Sequence, residues 1–384
     1  MVSFARLAWL QLRRQKVRFA VAIAGVAFAV ILMFMQIGFQ DALFRSAVNV
    51  HVRLKGDLFL THANYNALPF PSAFPRRRLY QALAFPGVAS VIPVYTGLVP
   101  WKNPETGGLR DIFILGVDPT ADAFDSPAVV ANARLLRYPD VVLYDAFSRP
   151  EFGPVAARFR QGGPVATEAR NRTVSVRGLF ELGTSFGVDG TIFTSDLNYL
   201  RMNPHERPGR VGLGVVRLEP GADPERVQRA LRAHLPRDVR IMTRQQFLDH
   251  EVAYWAKATP IGFVFTFGVV MGLVVGMIIV YQILFADITD PLREYATLKA
   301  MGYTNRYLAG VVVMEAVILG LAGFVPGVAI SARLYALTKS TTMLPMAIDP
   351  LRAGQILVLT LLMCWGSGMI AMRKLRAAQP ADVF

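Results

Sequence analysis

The sequence predicts a membrane protein with four transmembrane α-helices and a large α+β periplasmic domain inserted between helices 1 and 2. Apolar residues make up 53% of the chain and charged residues only 18%, whereas a soluble domain carries about 25% charged residues. Four long runs are almost free of charge, and about 20 apolar residues allow a helix to cross a bilayer. Residues 42–257, between the first two runs, have the composition of a soluble protein.

The four runs define the predicted transmembrane spans, which lie at residues 19–40, 258–286, 307–330 and 354–372. Only Glu315 interrupts the third run, and the other three contain no charged side chain. The second run is longer than a bilayer requires, so we expect this helix to tilt or to project from the lipid. Residues 244–257 have helical character, and we expect them to extend the second span as a stalk.

Lys and Arg near the span ends predict the orientation, because they are enriched in cytoplasmic flanks. Residues 1–18, a basic helix candidate, and the tail 373–384 both carry an excess of basic residues, so we expect both in the cytoplasm of a bacterial cell. The loop 287–306 is then cytoplasmic, the short loop 331–353 is periplasmic, and 42–257 forms the periplasmic domain. On this topology the formal charge of +14 is first a signal of orientation in the membrane, and it gives no evidence for binding of nucleic acid.

The periplasmic domain is predicted from short β-like runs mixed with helical segments. The runs are Asp57–Leu60, Ser90–Tyr95, Asp111–Val117, Thr173–Phe180 and Val211–Leu218. A helix is predicted within 221–236, with Asp223 as its cap and Pro224 at its first position. Its buried face is expected to contain Val227, Ala230, Leu231 and His234.

Sequence motifs give little support for catalysis by this chain. No Gly-Lys dipeptide occurs, so a nucleotide-binding P-loop is excluded, and the zinc motif H-E-x-x-H is absent. The single cysteine, Cys364, and the five scattered histidines do not form a metal-binding pattern. We therefore predict no catalytic residue, no metal and no cofactor in this chain.

Small and polar residues inside the spans are the candidates for helix packing and function. Glycines that recur at every fourth position allow helices to approach closely, either within one chain or between two copies. These glycines are Gly268, Gly272 and Gly276 in the second span and Gly323 and Gly327 in the third. Glu315 lies about 12 Å into the third span by helical rise, and Gln36 is the strongly polar residue within the first. An ionisable group in a span is costly, so Glu315 is either functional or hydrogen-bonded to a neighbouring helix.

The cytoplasmic loop 287–306 contains a short helical pattern that Pro291 opens and Gly302 ends. Its sequence EYATLKAMGY (294–303), the flanks of span one (LAWLQLRRQKVRF) and PRRRLYQAL (75–83) resemble the DevC family of ABC-exporter permeases. That family belongs to the wider group of FtsX/MacB-like permeases. The resemblance extends over nearly the whole chain. One departure is Val30, where DevC-like sequences often have Asp.

The resemblance implies that the loop between spans two and three is a coupling helix that docks on a separate ABC ATPase subunit, which binds the ATP. The implied contact residues are Arg293, Glu294, Tyr295, Leu298, Lys299, Met301 and Gly302. It also implies a homodimer in membrane lipid, a periplasmic adaptor with an outer-membrane channel, and a lipid-like or hydrophobic substrate. Glu315 resembles an acid that related permeases carry at this point.

Two other functions remain open from the residues. An FtsX-like signal transducer could use the same membrane architecture to activate a periplasmic partner. A membrane-anchored enzyme would need a catalytic site within residues 42–257. A neighbouring gene for an adaptor protein would favour export, and a hydrolase partner would favour signalling.

Overall fold

The structure, a computed structural model, describes residues 9–10, 13, 16–70, 72–163, 165–185, 187–207, 209–289, 305–342, 344 and 346–377. The chain divides into two compact units. We call Met1–Ala42 together with Ile261–Phe384 the membrane unit, and Leu43–Pro260 the inserted domain.

The helices and strands are numbered in chain order. The helices are α1 Lys16–Ala47, α2 Asn49–Arg53, α3 Arg77–Leu83, α4 Pro127–Ala131, α5 Val155–Arg160, α6 Asp196–Met202, α7 Pro224–His234, α8 Arg244–Ala253, α9 Pro260–Thr289, α10 Asn305–Thr342 and α11 Pro350–Ala377. The strands are β1 Leu58–His62, β2 Phe74–Pro75, β3 Val88–Lys102, β4 Leu109–Val117, β5 Val141–Asp145, β6 Val165–Ala169, β7 Arg172–Phe180, β8 Thr191–Thr194, β9 Arg210–Val211, β10 Leu213–Leu218 and β11 Val239–Thr243.

Helices α1, α9, α10 and α11 are each long and apolar enough to cross a membrane. The predicted architecture of four spanning helices, with a large mixed domain between the first and second, is therefore confirmed. Helix α10 continues to Thr342 and α11 begins at Pro350, so most of the expected loop 331–353 is helical. Pro326 lies inside this helix, where neighbouring helices make such a residue tolerable.

Helix α1 contributes to a core with the three other spanning helices in the membrane unit. Its fully buried side chains include Val26, Val30, Met33 and Phe34. They belong to one apolar cluster with Val280 and Leu284 of α9, Val312, Ala316 and Leu319 of α10, and Ile356, Met363 and Cys364 of α11. Helix association in lipid depends on close van der Waals packing of this kind, because lipid tails are as apolar as the side chains.

The inserted domain contains a mixed nine-stranded sheet in the order β11-β1-β10-β3-β4-β8-β5-β7-β6. The pairs β4–β8 and β5–β7 are parallel, and the other neighbours are antiparallel. A single pairing of Trp101 with Ala169 brings β6 back to β3. The sheet with its flanking helices confirms the predicted α+β class.

Both faces of the sheet are covered, which explains the unbroken apolar runs of its central strands. Successive side chains of a strand point to opposite faces. Ile112 and Ile114 of β4 therefore join one buried cluster, and Phe113 and Leu115 join the other. Strands β5, β6 and β8 carry no clear alternation in the sequence and were not among the predicted runs.

Helix α7 begins as predicted, because the Asp223 side chain accepts from the backbone N–H of Glu225 at 3.0 Å and Pro224 follows it. The predicted buried face is partly wrong. Val227, Gln228 and Leu231 are buried, whereas Ala230 and His234 are exposed. Strand β11 is at the edge of the sheet, and the Gln228 amide donates to the carbonyl of Ile241 there at 2.9 Å. The Arg232 guanidinium donates to the same carbonyl at 2.8 Å, and the hydrogen bond of the Gln228 amide makes its burial tolerable.

Residues 244–257 do not continue into the second span as one helix. Helix α8 ends at Ala253, a π-helical turn spans Tyr254–Ala258, and Thr259 is extended with φ −117° and ψ 156°. Helix α9 then starts at Pro260. Proline disfavours helical backbone in the residue before it and is well suited to the first helical position. The predicted continuous stalk is therefore corrected, and the Thr259-Pro260 pair is the signal in the sequence.

Candidate functional site

The predicted ATPase-contact residues all lie outside the described residues. They fall within 290–304, between the end of α9 at Thr289 and the start of α10 at Asn305. Arg293, Glu294, Tyr295, Leu298, Lys299, Met301 and Gly302 therefore stay a prediction. Most of the expected N-terminal helix, residues 1–8 included, also lies outside the described part.

The three glycines of the second span face other helices of the same chain. A Cβ added at Gly272 would lie 3.5 Å from the Leu32 Cβ, an ordinary contact distance. At Gly276 it would lie only 2.6 Å from the Ala29 Cβ, and at Gly268 it would collide with the Gln36 amide. All three thus lie against α1, with different amounts of free space.

The glycines of the third span also lie against α1. A Cβ at Gly323 would lie 2.5 Å from the Val26 Cβ, and at Gly327 it would lie 2.6 Å from a methyl carbon of Val30. Val30 is fully buried. An aliphatic side chain therefore fills the position where the resembling family often has Asp, and it packs onto a glycine.

The two polar residues predicted inside the spans differ in their surroundings. Gln36 is half-buried, and its amide covers Gly268. Glu315 of α10 is only 2% exposed and belongs to the same helix face as the buried Val312 and Leu319. The structure thus places Glu315 within the packed core of the membrane unit, and its role stays a prediction.

An ion pair between a buried arginine and a partly exposed aspartate in the membrane unit was not predicted from the sequence. Arg352 Nη2 lies 2.6 Å from Asp41 Oδ2, and only 8% of the Arg352 side chain is exposed. Tyr335 donates to the carbonyl of Phe34, and its ring packs on Gly38. Asp41 and Arg352 lie at the predicted outer ends of spans one and four, so their opposite charges were the available signal.

The inserted domain contains a buried polar centre that the sequence did not indicate. Glu251 Oε2 accepts from the N–H of Leu68 at 3.0 Å and from the Tyr65 hydroxyl at 3.1 Å, and His51 Nε2 is also 3.1 Å away. Glu251 Oε1 accepts from Trp255 Nε1 at 3.0 Å. We call these five residues the Glu251 cluster. Burial, and then the charge of Glu251 and the hydrogen bond to it, raise the pKa of Tyr65 well above its ordinary value.

A G-x-S-x-G pattern at 183–187 (GTSFG) has the spacing of a nucleophile elbow. That motif requires a strand, a sharp turn and a helix. Here the described residues of this stretch follow β7 as a loop, and the next element is β8. The pattern therefore lacks the structural context of a hydrolase. No group of three metal-ligating side chains occurs in the part of the chain that the structure describes.

Two family models cover most of the chain. The MacB-like periplasmic core domain matches residues 19–234, and the FtsX-like permease C-terminal model matches residues 266–380. The chain belongs to the FtsX/MacB-like permease family. Permeases of this family are non-catalytic transmembrane subunits of ABC transporters, and they generally work with an ABC ATPase. This FtsX/MacB-like permease is accordingly a multi-pass membrane protein.

Three solved structures similar to this permease are a periplasmic region, an extracellular domain and a domain of a putative permease protein. The periplasmic region of MacB from Actinobacillus actinomycetemcomitans is 10% identical, with 52% of this chain and 94% of that chain covered and a TM-score of 0.35. The extracellular domain of the noncanonic ABC-type transporter YknZ from Gram-positive bacteria is 14% identical, with 49% and 99% covered and a TM-score of 0.32. A domain of a putative permease protein from Porphyromonas gingivalis is 17% identical, with 48% and 87% covered and a TM-score of 0.29.

These TM-scores are low, so the family assignment rests on the two family models. A search of curated proteins gave no match. The narrower resemblance to the DevC family stays a prediction.

Proposed function

We propose that this permease is the membrane subunit of an ATP-driven export system that works by mechanotransmission. The observation that carries the proposal is the joint match of one chain to the MacB-like periplasmic core domain and the FtsX-like permease C-terminal model. The chain has no P-loop, so ATP hydrolysis takes place in a separate ATPase subunit. The permease is a homodimer in the inner membrane with both termini in the cytoplasm.

The composition of the spans supports an export route that does not pass between them. The described faces between α1 and its neighbours consist mainly of aliphatic side chains and glycine. A conduit for a polar solute needs a polar lining. A lipid-like or hydrophobic substrate is instead expelled from the periplasmic side, through an adaptor protein and an outer-membrane channel.

The coupling step is assigned to the loop 287–306. ATPase closure moves this loop, and helix α9, which begins at Pro260 and ends at Thr289 where the loop starts, carries the movement towards the inserted domain. Leu298 and Met301 supply the apolar contacts to the ATPase. The neighbouring contact residues in the sequence are Arg293, Glu294, Tyr295, Lys299 and Gly302.

The test is co-purification of the tagged permease with an ABC ATPase from its native cells. Leu298→Asp and Met301→Asp are expected to abolish co-purification, because a charge in a desolvated apolar contact is costly. Leu351→Asp places the same charge on an exposed leucine of α11, on the predicted periplasmic side, and serves as the matched control. Unchanged co-purification in both loop variants would exclude the coupling assignment.

A second measurement separates export from signalling. Cross-linking the wild-type permease in cells is expected to capture a periplasmic adaptor. Capture of a periplasmic hydrolase and no adaptor would replace export with FtsX-like signalling. Turnover by the inserted domain in the absence of any ATPase would instead revive the membrane-anchored enzyme.

A further inference from the structure

The first and last helices of the inserted domain adjoin the first two spans in the chain. Helix α2 begins at Asn49, two residues after α1 ends at Ala47. Helix α8 ends at Ala253, and α9 begins at Pro260. Movement of span one or span two therefore reaches the inserted domain through α2 or through α8.

The Glu251 cluster fastens these two helices to each other. Glu251 belongs to α8 and His51 to α2, and their side chains meet 3.1 Å apart although 200 positions separate them in the sequence. Glu251 is 1% exposed and His51 is fully buried. A buried carboxylate is tolerated only when its oxygens are fully hydrogen-bonded. The four contacts of Glu251 satisfy it, and they hold α2, α8 and the loop with Tyr65 and Leu68 in one arrangement.

A second contact joins the same two helices. The Arg244 guanidinium, at the start of α8, donates to the carbonyls of Val52 at 2.7 Å and Leu54 at 2.8 Å. These carbonyls are at the end of α2, where a helix has no partners of its own for its last carbonyls. The contact therefore satisfies α2 and fixes its end to α8.

The ring of Phe247 fills the space between the two polar contacts. Its centroid lies 4.4 Å from that of His51 and 4.5 Å from that of Phe59 in β1. Arg244, Phe247 and Glu251 are spaced i, i+3 and i+7, so they share one face of α8. This face connects α8 to α2 and to the sheet at the same time.

The chain is irregular immediately beyond this face. The π-helical turn at Tyr254–Ala258 holds the Trp255 indole against Glu251 Oε1. The Thr259 hydroxyl donates to the Trp255 carbonyl at 2.5 Å, and the Thr259 backbone is extended. Turns of this kind interrupt the helical hydrogen bonds and often mark functional positions. Residues 254–259 thus separate the fixed α8 from the helix of span two.

We propose that Glu251, with His51 and Arg244, forms a rigid joint that makes α2 and α8 move as one body, with bending confined to residues 256–259, beyond the Trp255 indole that Glu251 holds. This inference rests on the proposed mechanotransmission. The joint would deliver displacements of spans one and two to the β1–β11 edge of the sheet together. Without it, each span could move its own helix while the sheet stayed in place.

The test measures the distance between α2 and α8 by pulsed electron paramagnetic resonance on the full-length permease in lipid nanodiscs. Cys364 is replaced by Ser, and spin labels are attached at Val52→Cys and Asp249→Cys, both exposed positions. A narrow distance distribution is expected, and Glu251→Ala should broaden it about twofold because a local opening becomes accessible. A control label pair at Leu109 and Leu197, elsewhere in the inserted domain, should stay unchanged.

Two further variants make the result decisive. Gln245→Ala, on the exposed side of α8, is the matched control and should leave the distribution narrow. Arg244→Ala removes only the second contact and should also broaden it, which covers the case in which Glu251→Ala does not fold. Distributions that stay narrow in the folded variants would overturn the joint, whatever the permease does.

The functional arm uses the same Glu251→Ala and Arg244→Ala permeases with the ATPase. We expect ATPase co-purification to be retained and ATP-driven export to be lost. Unchanged export by a permease with a broadened distribution would overturn the coupling role of the joint. If the wild-type permease fails to bind an ATPase at all, the proposed function fails, while the distance measurement still decides whether the joint exists.

Discussion

Replacing Gly323 by alanine tests whether close contact between α10 and α1 stabilises the membrane unit. The added Cβ would lie 2.5 Å from the Val26 Cβ and 3.1 Å from the carbonyl oxygen of Ile23. Both obstructing atoms are fixed, one at the branch point of a side chain and one in the backbone. Neither can move aside by a rotamer change, so the helices themselves must separate.

The free-energy cost of Gly323→Ala follows from the distance by which α10 must move away from α1. Carbon atoms in contact lie about 3.5–4.0 Å apart, so α10 must move by about 1 Å. Overpacking of this size costs about 1–3 kcal/mol. At about 3 °C per kcal/mol for a unit of this length, a cost of about 2 kcal/mol lowers Tm by about 6 °C.

The matched control is Gly272→Ala, whose Cβ would meet Leu32 and Met33 at 3.5 Å. This change should be neutral or stabilise by up to about 1 kcal/mol, because alanine favours the helix over glycine. The Tm of Gly268→Ala should lie between those of the other two variants, since its added Cβ meets the flexible end of the Gln36 side chain.

The assay uses the single thiol of the chain. Cys364 is fully buried in the membrane unit, so a thiol-reactive dye reports its exposure as the permease unfolds in detergent on heating. Coincident melting curves for Gly323→Ala and Gly272→Ala would refute the close contact and, with it, the predicted packing role of the glycine.

Three other predictions use the same melting assay or circular dichroism. Asp41→Ala should lower Tm because it leaves the buried Arg352 guanidinium without its carboxylate, and a double-mutant cycle with Arg352→Ala should give a coupling of about 1–3 kcal/mol; additive effects would contradict the pair. Asn198→Ala removes a side-chain amide that donates to three backbone carbonyls and accepts from one backbone N–H. The free energy of unfolding of the inserted domain should fall by about 2–4 kcal/mol. A loss smaller than that caused by replacing an exposed surface residue would contradict a stabilising role for these hydrogen bonds. Burial raises the pKa of Tyr144 to about 12, so its neutral form stabilises the fold fully below pH ~10 and this stability is lost as the pH rises towards 12, an effect of about 2.5 kcal/mol. Tyr144→Phe should therefore lose less stability than the wild type between pH 10 and 12, and an equal loss would contradict the shift.

The architecture could be predicted because its signals are local. An uncharged run long enough to cross a bilayer is visible within about 20 residues, and the alternation or continuity of apolar residues in β1 and β4 is visible within ten. The Asp223-Pro224 start of α7 is likewise a feature of adjacent residues. Family membership depends on matches along the sequence and needs no contact map.

One wrong prediction depends on a contact with a neighbouring strand, and the other on a local signal that lies within a long apolar run. Gln228 is buried in place of Ala230 and His234 on α7, and its amide donates to the carbonyl of Ile241 in the neighbouring strand β11. The stalk was predicted as continuous because Thr259-Pro260 was read as part of a long apolar run, although proline restricts the residue before it.

The sequence by itself determined the four candidate spans, the mixed class of the inserted domain and the absence of a P-loop. Only the tertiary structure decided that Glu251 meets His51, that Arg352 meets Asp41, and that Gly323 has less free space than Gly272. The periodicity of apolar residues and the amino-acid composition are properties of a short stretch of chain. Burial and contact depend on which distant segments pack together, and identical residues such as these glycines differ only in what the fold places opposite them.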